Sequence, residues 1–306
     1  MIAELVWSRF GNVPNYVEPF AGSLAVLLGR PNPPRTETVN DKDAFLSNFW
    51  RAVQFDPETT ARWADWPVSE ADLHALHRWL VTTGAARLEL VKTDPFFYDP
   101  QVAGWWVWGL CSWIGSGWCA QRRNGDQPEQ RPHLGNAGMG INRKLPHLGD
   151  AGRGDVHHKR TERGADIAAY FAALAERLRS VRVCCGDWQR VLGESVTIKH
   201  GMTAVFLDPP YGGEIKRNDD LYAEDSLTVS TEVCKWAIAN GNNPLLRIAL
   251  CGYEGEHTMP EDWECVAWKA CGGYGSQGEG TARENATRER VWFSPACVRQ
   301  NEELFS

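Results

Sequence analysis

No strand-to-helix junction in this chain carries a glycine-rich phosphate fingerprint, and the tripeptides GKS and GKT do not occur. The two commonest backbone cradles for a phosphorylated cofactor are thereby excluded, and a cofactor bound without phosphates remains open. The nine cysteines include no CxxC pair, and most lie in apolar surroundings. Such spacing argues against a zinc site or a disulfide framework and for reduced, buried thiols in a cytoplasmic protein. No apolar run approaches the ~20 residues that cross a bilayer, and no charged-then-apolar leader is present. Neither a membrane nor a metal is expected as a partner. His74 and His77, three apart, read as surface or half-buried side chains rather than ligands.

In bulk the chain is ordinary, but its charge is uneven. Its 306 residues are 43% hydrophobic and 23% charged, enough for a substantial core in one large or two smaller domains. The formal net charge is −7, yet residues 121–164 hold nine Lys or Arg against five acids, a local balance of +4. A local basic segment can engage phosphates even on an acidic protein. A solvated loop of mixed charge accounts equally well for that composition.

Helical apolar spacing over 3–10 ends at Gly11. Asn15 to Glu18 then read as a brief strand, followed by the small-residue turn Pro19-Phe20-Ala21-Gly22-Ser23 and a helical stretch from Leu24 to Leu28. Gly22 lets a ligand approach the backbone. Thr36–Val39 make a second strand that ends in Asn40-Asp41. An acid there, about 20 residues past the glycine turn, is placed to accept both ribose hydroxyls of a nucleoside cofactor. Capping of the helix expected from Ala44 is its competing role. Without a phosphate loop, these features favour a nucleoside such as S-adenosylmethionine over NAD or ATP.

Residues 56–99 are helical in character, with Ser69 and Asp72 as a capping box ahead of Leu73, Leu76 and Leu80. Residues 104–119 carry five of the fifteen tryptophans. They read as a core helix, or as one or two rings lining a pocket where an extruded base stacks. Residues 120–164 are rich in Gly, Pro and charge and contain a short repeat, 132–140 and 146–154, of paired Gly-rich loops that can approach a phosphate backbone. Order returns with a helix over Asp166–Leu178 and a strand over Val181–Cys185, ended by Gly186-Asp187-Trp188. The strand Thr203–Leu207 follows and must stop at two prolines, so Asp208-Pro209-Pro210-Tyr211 projects beyond the sheet edge. In an open α/β sheet that edge is where ligands bind. Residues 212–225 suit a mobile lid, Ser230–Ala239 a helix and Leu245–Leu250 a strand; Trp263–Ala270 and Arg290–Phe293 suit a final antiparallel pair.

Four stretches in this order, Glu18-Pro19-Phe20-Ala21-Gly22-Ser23, Asn40-Asp41, Gly186-Asp187-Trp188 and Asp208-Pro209-Pro210-Tyr211, resemble the Dam-like (D12 class) DNA adenine-N6 methyltransferases. The resemblance covers most of the chain outside roughly 56–165. It implies a Rossmann-like α/β methyltransferase fold, a mostly parallel sheet with an antiparallel end pair, over 1–55 and 166–306. A helical and Gly/Arg-rich target-recognition insertion would occupy 56–165. It also implies that Glu18, Phe20, Ala21, Gly22 and Ser23 border S-adenosylmethionine, that Asp41 holds its ribose, and that Asp187 and Trp188 lie near its adenine. Asp208, Pro209, Pro210 and Tyr211 would hold the target base, and Arg122, Arg123, Arg131, Arg143, Lys144 and Arg153 would meet DNA.

Two departures from the family pattern carry expectations. Many members read FxGxG in the first motif, so Leu24 in place of the second glycine implies a slightly different turn. The chain also begins at Met1-Ile2-Ala3-Glu4, just past the family's N-terminal aromatic-Gly-Gly-Lys motif, which implies a truncated start or reduced cofactor affinity. Three other readings stay open: a cytosine-N4 enzyme, a DNA-binding module with impaired catalysis, and an RNA or protein amide methyltransferase sharing the (D/N)PPY core.

Overall fold

Short apolar runs bounded by Gly, Pro and Asn become strands, and the longer amphipathic runs become helices. The computed structural model describes residues 2–33, 35–94, 96–113, 118–119, 163–210, 220–268 and 288–299, with side chains from 167 and 229 onward in the helices that begin at 163 and 220. Seven strands are described: β1 (Asn15–Glu18), β2 (Thr36–Asp41), β3 (Val181–Cys185), β4 (Thr203–Leu207), β5 (Leu246–Tyr253), β6 (Glu264–Ala267) and β7 (Glu289–Phe293). Their order is β3-β2-β1-β4-β5-β7-β6. β1 pairs in parallel with β2 and β4, and β4 with β5, whereas β7 runs antiparallel between β5 and β6. The chain winds outward from β1 through β2 and β3, then returns to β4 on the other side of β1. Such a reversal makes a topological switch point between β1 and β4.

The chain divides into two compact units, Met1–Asn40 with Asp187–Ser306, and Asp41–Gly186. In the first, β1 and β4 are buried along their whole length. Burial of Asn15 is made tolerable by its amide, which donates to the carbonyls of Val196 and Thr197 and to Thr203 Oγ1. Helix α1 (Ile2–Phe10) lays Trp7 and Phe10 on Tyr16, with ring centroids 5.1 and 6.3 Å away. The Trp7 indole donates to Val26 of the short helix α2 (Ala25–Leu28) at 2.7 Å. Helix α9 (Asp220–Asn240) begins at Asp220 rather than Ser230, so 220–225, expected within a mobile lid, are helical. Leu221, Ala223, Glu224 and Leu227 favour helix there. Residues 211–219 lie outside the described residues. β5 extends past Leu250 to Tyr253 because β7 supplies an antiparallel partner for Cys251, Gly252 and Tyr253.

The second unit is mostly helical. Asp43, Asp56, Ser69 and Asp99 cap α3 (Ala44–Phe55), α4 (Pro57–Ala64), α5 (Glu70–Trp79) and α7 (Pro100–Ser112), each accepting a backbone N–H. The Asp72 carboxylate takes the indole N–H of Trp66 at 3.0 Å. A one-turn helix α6 (Ala85–Leu88) leads toward α7. Helix α7 is apolar nearly all round, as befits a central helix. Its Trp108 is fully buried and donates to Trp66 at 2.9 Å, and Trp118 donates to Trp106 at 2.9 Å. Gly109 is obligatory at that crossing, since a Cβ would stand 1.8 Å from the Trp118 ring. Trp106, Trp108 and Trp118 are therefore core. His77 is half-buried between Trp113 and Trp118.

Helices α3 and α8 (Arg163–Leu178), expected with the sheet, group instead with α4 and α7. Phe49 of α3 explains this, meeting Trp106 at 5.8 Å and Phe171 at 5.7 Å. The paired Gly-rich loops fall outside the described residues. No described helix is long and apolar enough to cross a membrane.

Candidate active site

The turn after β1 is tied to the end of β2. Ala21 N–H donates to the Asn40 carbonyl at 2.9 Å, and the Asn40 amide donates to the Pro19 carbonyl at 3.1 Å. Gly22 has φ +46, the left-handed conformation that glycine adopts without strain, and is exposed, with no described residue within 4 Å of where a Cβ would stand. Leu24 also takes the left-handed conformation, at φ 57 and ψ 22, which costs roughly 1–2 kcal/mol for an L side chain. Its side chain is completely buried, its N–H donates to Ala21 at 2.8 Å and its carbonyl accepts from Leu28 at 2.8 Å. Leu24 is thus held in a backbone conformation that glycine adopts freely. Leu24→Gly relieves the backbone but empties a core site. A net loss of about 1–3 kcal/mol in urea unfolding is expected.

Past β3 the chain places Trp188 against Phe20, stacked with centroids 6.1 Å apart and planes at 29°. Asp187 is exposed and accepts from Gln189 N–H at 2.9 Å. Beside Trp188 opens a cleft of about 550 Å³, whose walls include Leu192, Glu232, Lys235 and Trp236.

Strand register brings the acids together. Tyr16 pairs with Ala204 and Val17 with Val205, so Glu18 lies opposite Phe206 on the next step. Side chains alternate along a strand, so Tyr16, Glu18, Phe206 and Asp208 share a face. Phe206 pairs with Ala249, and Cys251 and Tyr253 pair with Val291 and Glu289. The same face therefore carries Cys251, Tyr253 and Glu289. Asp208 and Pro210 are exposed, and Pro209 is buried.

Glu18 is 2% exposed, and the Tyr16 hydroxyl donates to its Oε2 at 2.9 Å. Burial pushes its carboxyl up to about 8; the bonds from Tyr16 and from Leu27 N–H oppose the rise, and the charges of Asp208 and Glu37 add to it. Burial first, then Asp208, pushes Glu289 up to about 7. Burial together with Asp208, Glu289 and Glu18 pushes the Cys251 thiol well up. The field of Asp208 thus reaches groups on three other strands.

Of the residues singled out from the sequence, Glu18, Phe20–Ser23, Asp187, Trp188 and Asp208–Pro210 belong to the sheet-bearing unit. Glu18 lies under the turn rather than at its surface. Asp41 falls at the start of the other unit, where its Oδ1 accepts from Asp43 N–H at 2.9 Å. Asp43, not Asp41, caps α3, so Asp41 is not used as the helix cap. Tyr211 and the cations Arg122, Arg123, Arg131, Arg143, Lys144 and Arg153 lie outside the described residues. Of the eight cysteines described, Cys265 is exposed and Cys184 half-buried; the rest are buried. No group of three His, Cys, Asp or Glu among the described residues can hold a metal. Glu289 and Tyr253 were not singled out from the sequence. Glu289 lies one residue before the expected strand Arg290–Phe293, and the β5–β7 register places it opposite Tyr253.

Sheet and site together define an α/β protein with an acid-lined edge at a switch point. No protein-family model matches the chain, and no curated protein matches it.

Proposed function

We propose that the chain is an S-adenosylmethionine-dependent DNA methyltransferase acting on the exocyclic N6 of an extruded adenine. One observation carries this reading: an exposed carboxylate, Asp208, followed by the Pro209 carbonyl, leaves the carboxyl end of β4 beside the β1 turn. A mostly parallel sheet with an antiparallel end pair supports it, being the fold that the family resemblance implies. The donor set suits the cofactor: an exposed Gly22, the Phe20–Trp188 ring pair for a flat adenine, and acid groups for a sulfonium. Asp41, at the end of β2, is the ribose acceptor in this reading.

S-adenosylmethionine supplies an electrophilic methyl group on that sulfonium. The adenine amine is a weak nucleophile because its lone pair is delocalised into the ring. Asp208 and the Pro209 carbonyl accept its two N–H bonds, localising the lone pair on nitrogen and fixing the approach. Tyr211 stacks on the extruded base, worth ~1–3 kcal/mol. The basic segment that includes Arg122, Arg123, Arg131, Arg143, Lys144 and Arg153 engages backbone phosphate.

The test is nucleoside analysis of unmethylated DNA incubated with the protein and S-adenosylmethionine. N6-methyladenine is expected. N4-methylcytosine in its place selects the cytosine reading, and no methylated nucleoside with no calorimetric binding of the cofactor overturns the proposal.

A further inference from the structure

Acid groups from three strands gather at one edge of the sheet-bearing unit: Glu18 ends β1, Asp208 follows β4 and Glu289 opens β7. DNA brought to that edge carries phosphates that the exposed Asp208 repels, so a cation is needed beside it. Arg288 supplies one. It is exposed, and its guanidinium carbon lies over the half-buried Tyr253 ring, 5.7 Å from the centroid. Backbone bonds fix it there: Glu254 N–H donates to the Arg288 carbonyl at 2.7 Å, and Tyr253 pairs with Glu289. No carboxylate among the described residues pairs with Arg288. Arg290 by contrast pairs with Glu254 at 2.8 Å and donates to the Glu289 carbonyl at 2.9 Å, while Glu289 keeps its Oε2 buried without a hydrogen bond. An arginine stacked on an aromatic ring is held in place before a ligand arrives, and its N–H edges stay available.

Tyr253 stands close to Asp208 on adjacent strands. Leu207 pairs with Leu250, so one step further Asp208 is abreast of Cys251, and Tyr253 follows two residues along on the same face. One strand over and two residues along is a separation of about 8 Å.

We propose that Arg288, stacked on Tyr253, is a phosphate-binding residue of this site that grips the DNA backbone beside the extruded nucleotide. This assignment rests on the methyltransferase reading and adds to the basic segment a contact carried by the sheet edge itself. An extruded nucleotide turns about its own backbone, so its flanking phosphates come to the rim of the pocket that takes the base. The planar guanidinium matches two phosphate oxygens at once.

The test measures binding of labelled, unmethylated duplex DNA from about 0.05 to 0.3 M salt by wild type, Arg288→Gln, Arg288→Lys and Arg290→Gln, all as full chains. Each phosphate contact contributes ~0.9 to the slope of log K against log salt. Arg288→Gln is expected to lose ~0.9 from that slope and to bind about 5-fold more weakly at 0.15 M salt. Arg288→Lys should keep the slope, and so should Arg290→Gln, whose charge is already paired within the protein. In methyl transfer, Arg288→Gln should raise the KM for DNA by a similar factor and leave kcat and cofactor affinity within about twofold. On wild type, the Arg288 Nε–H signal of 15N-arginine-labelled protein, assigned by its loss in Arg288→Lys, should shift when DNA is added.

A wild-type slope in Arg288→Gln overturns the inference alone, whatever becomes of the base. An equal fall in Arg290→Gln also overturns it, because the effect is then the net charge of the edge and not a contact. An unmoved Arg288 signal does the same, even where Arg288→Gln unfolds. If wild type binds DNA and cofactor but methylates no base, the methyltransferase reading fails while the slopes still decide the phosphate contact. A wild type that binds no duplex DNA overturns both.

Discussion

Asp208→Ala is expected to lower methyl transfer to adenine by at least ~10³-fold while leaving the fold standing. The two halves of that expectation have separate causes. Asp208 is exposed and lies just past β4, whose five residues are buried and paired with β5, the first three also with β1. Removing its side chain empties no core volume, so a stability change within about 1 kcal/mol is expected in thermal melts. Any shift should be upward at neutral pH, because the Asp208 charge disfavours ionisation of Glu18 and Glu289. Activity should fall because alanine offers the amine no acceptor, and the lone pair then stays in the ring. Asp208→Asn separates acceptor chemistry from packing: its shape is right, but its NH2 opposes the N–H of the base. Both variants should be inactive in nucleoside assays and folded by circular dichroism. Methylation by either at near the wild-type rate would sink the role given to Asp208.

The strands were legible where composition alone decides them. Thr203–Leu207 is a short apolar run closed by prolines, and no tertiary context competes with that reading. Asp43 against Asp41 was not legible, since both acids stand within reach of the α3 N-terminus and only the backbone geometry chooses between them. Leu24 carried a misleading signal. Propensity disfavours a left-handed leucine, but burial of the side chain holds it there. Where the compact units divide was not legible either: α3 and α8 lie next to the strands in sequence, yet their aromatic contacts group them with the helical unit. Glu18 was read as a ligand-facing acid because it precedes the turn. Four buried residues in β1 instead carry it under the turn, and strand alternation aims it at Tyr16. Glu289 lies 81 positions beyond Asp208, so no local pattern could join them; register across β4, β5 and β7 does.

Glu18→Gln is expected to flatten the dependence of stability on pH and to stabilise the protein in mild alkali. The folded carboxyl titrates at about 8 against a reference of 4.5. Between those values the folded state binds more protons than the unfolded state, so stability falls as pH rises through this window. Each unit of pKa difference corresponds to ~1.4 kcal/mol, giving an upper bound of roughly 4–5 kcal/mol across the window. Glutamine cannot ionise, and its carbonyl still accepts from the Tyr16 hydroxyl and Leu27 N–H. Urea unfolding should therefore show near-equal stability at pH 5 and an advantage for the variant of about 2–4 kcal/mol at pH 8.5. A shallower slope should persist in Glu18→Gln, because Glu289 is raised in the same direction to about 7. An unchanged slope would mean that Glu18 reaches water or a cation in solution. The same linkage bears on the site, because ionising Glu18 places a second negative charge beneath Asp208. Above about pH 8 each carboxylate then opposes the charge of the other, and the buried member carries most of the cost.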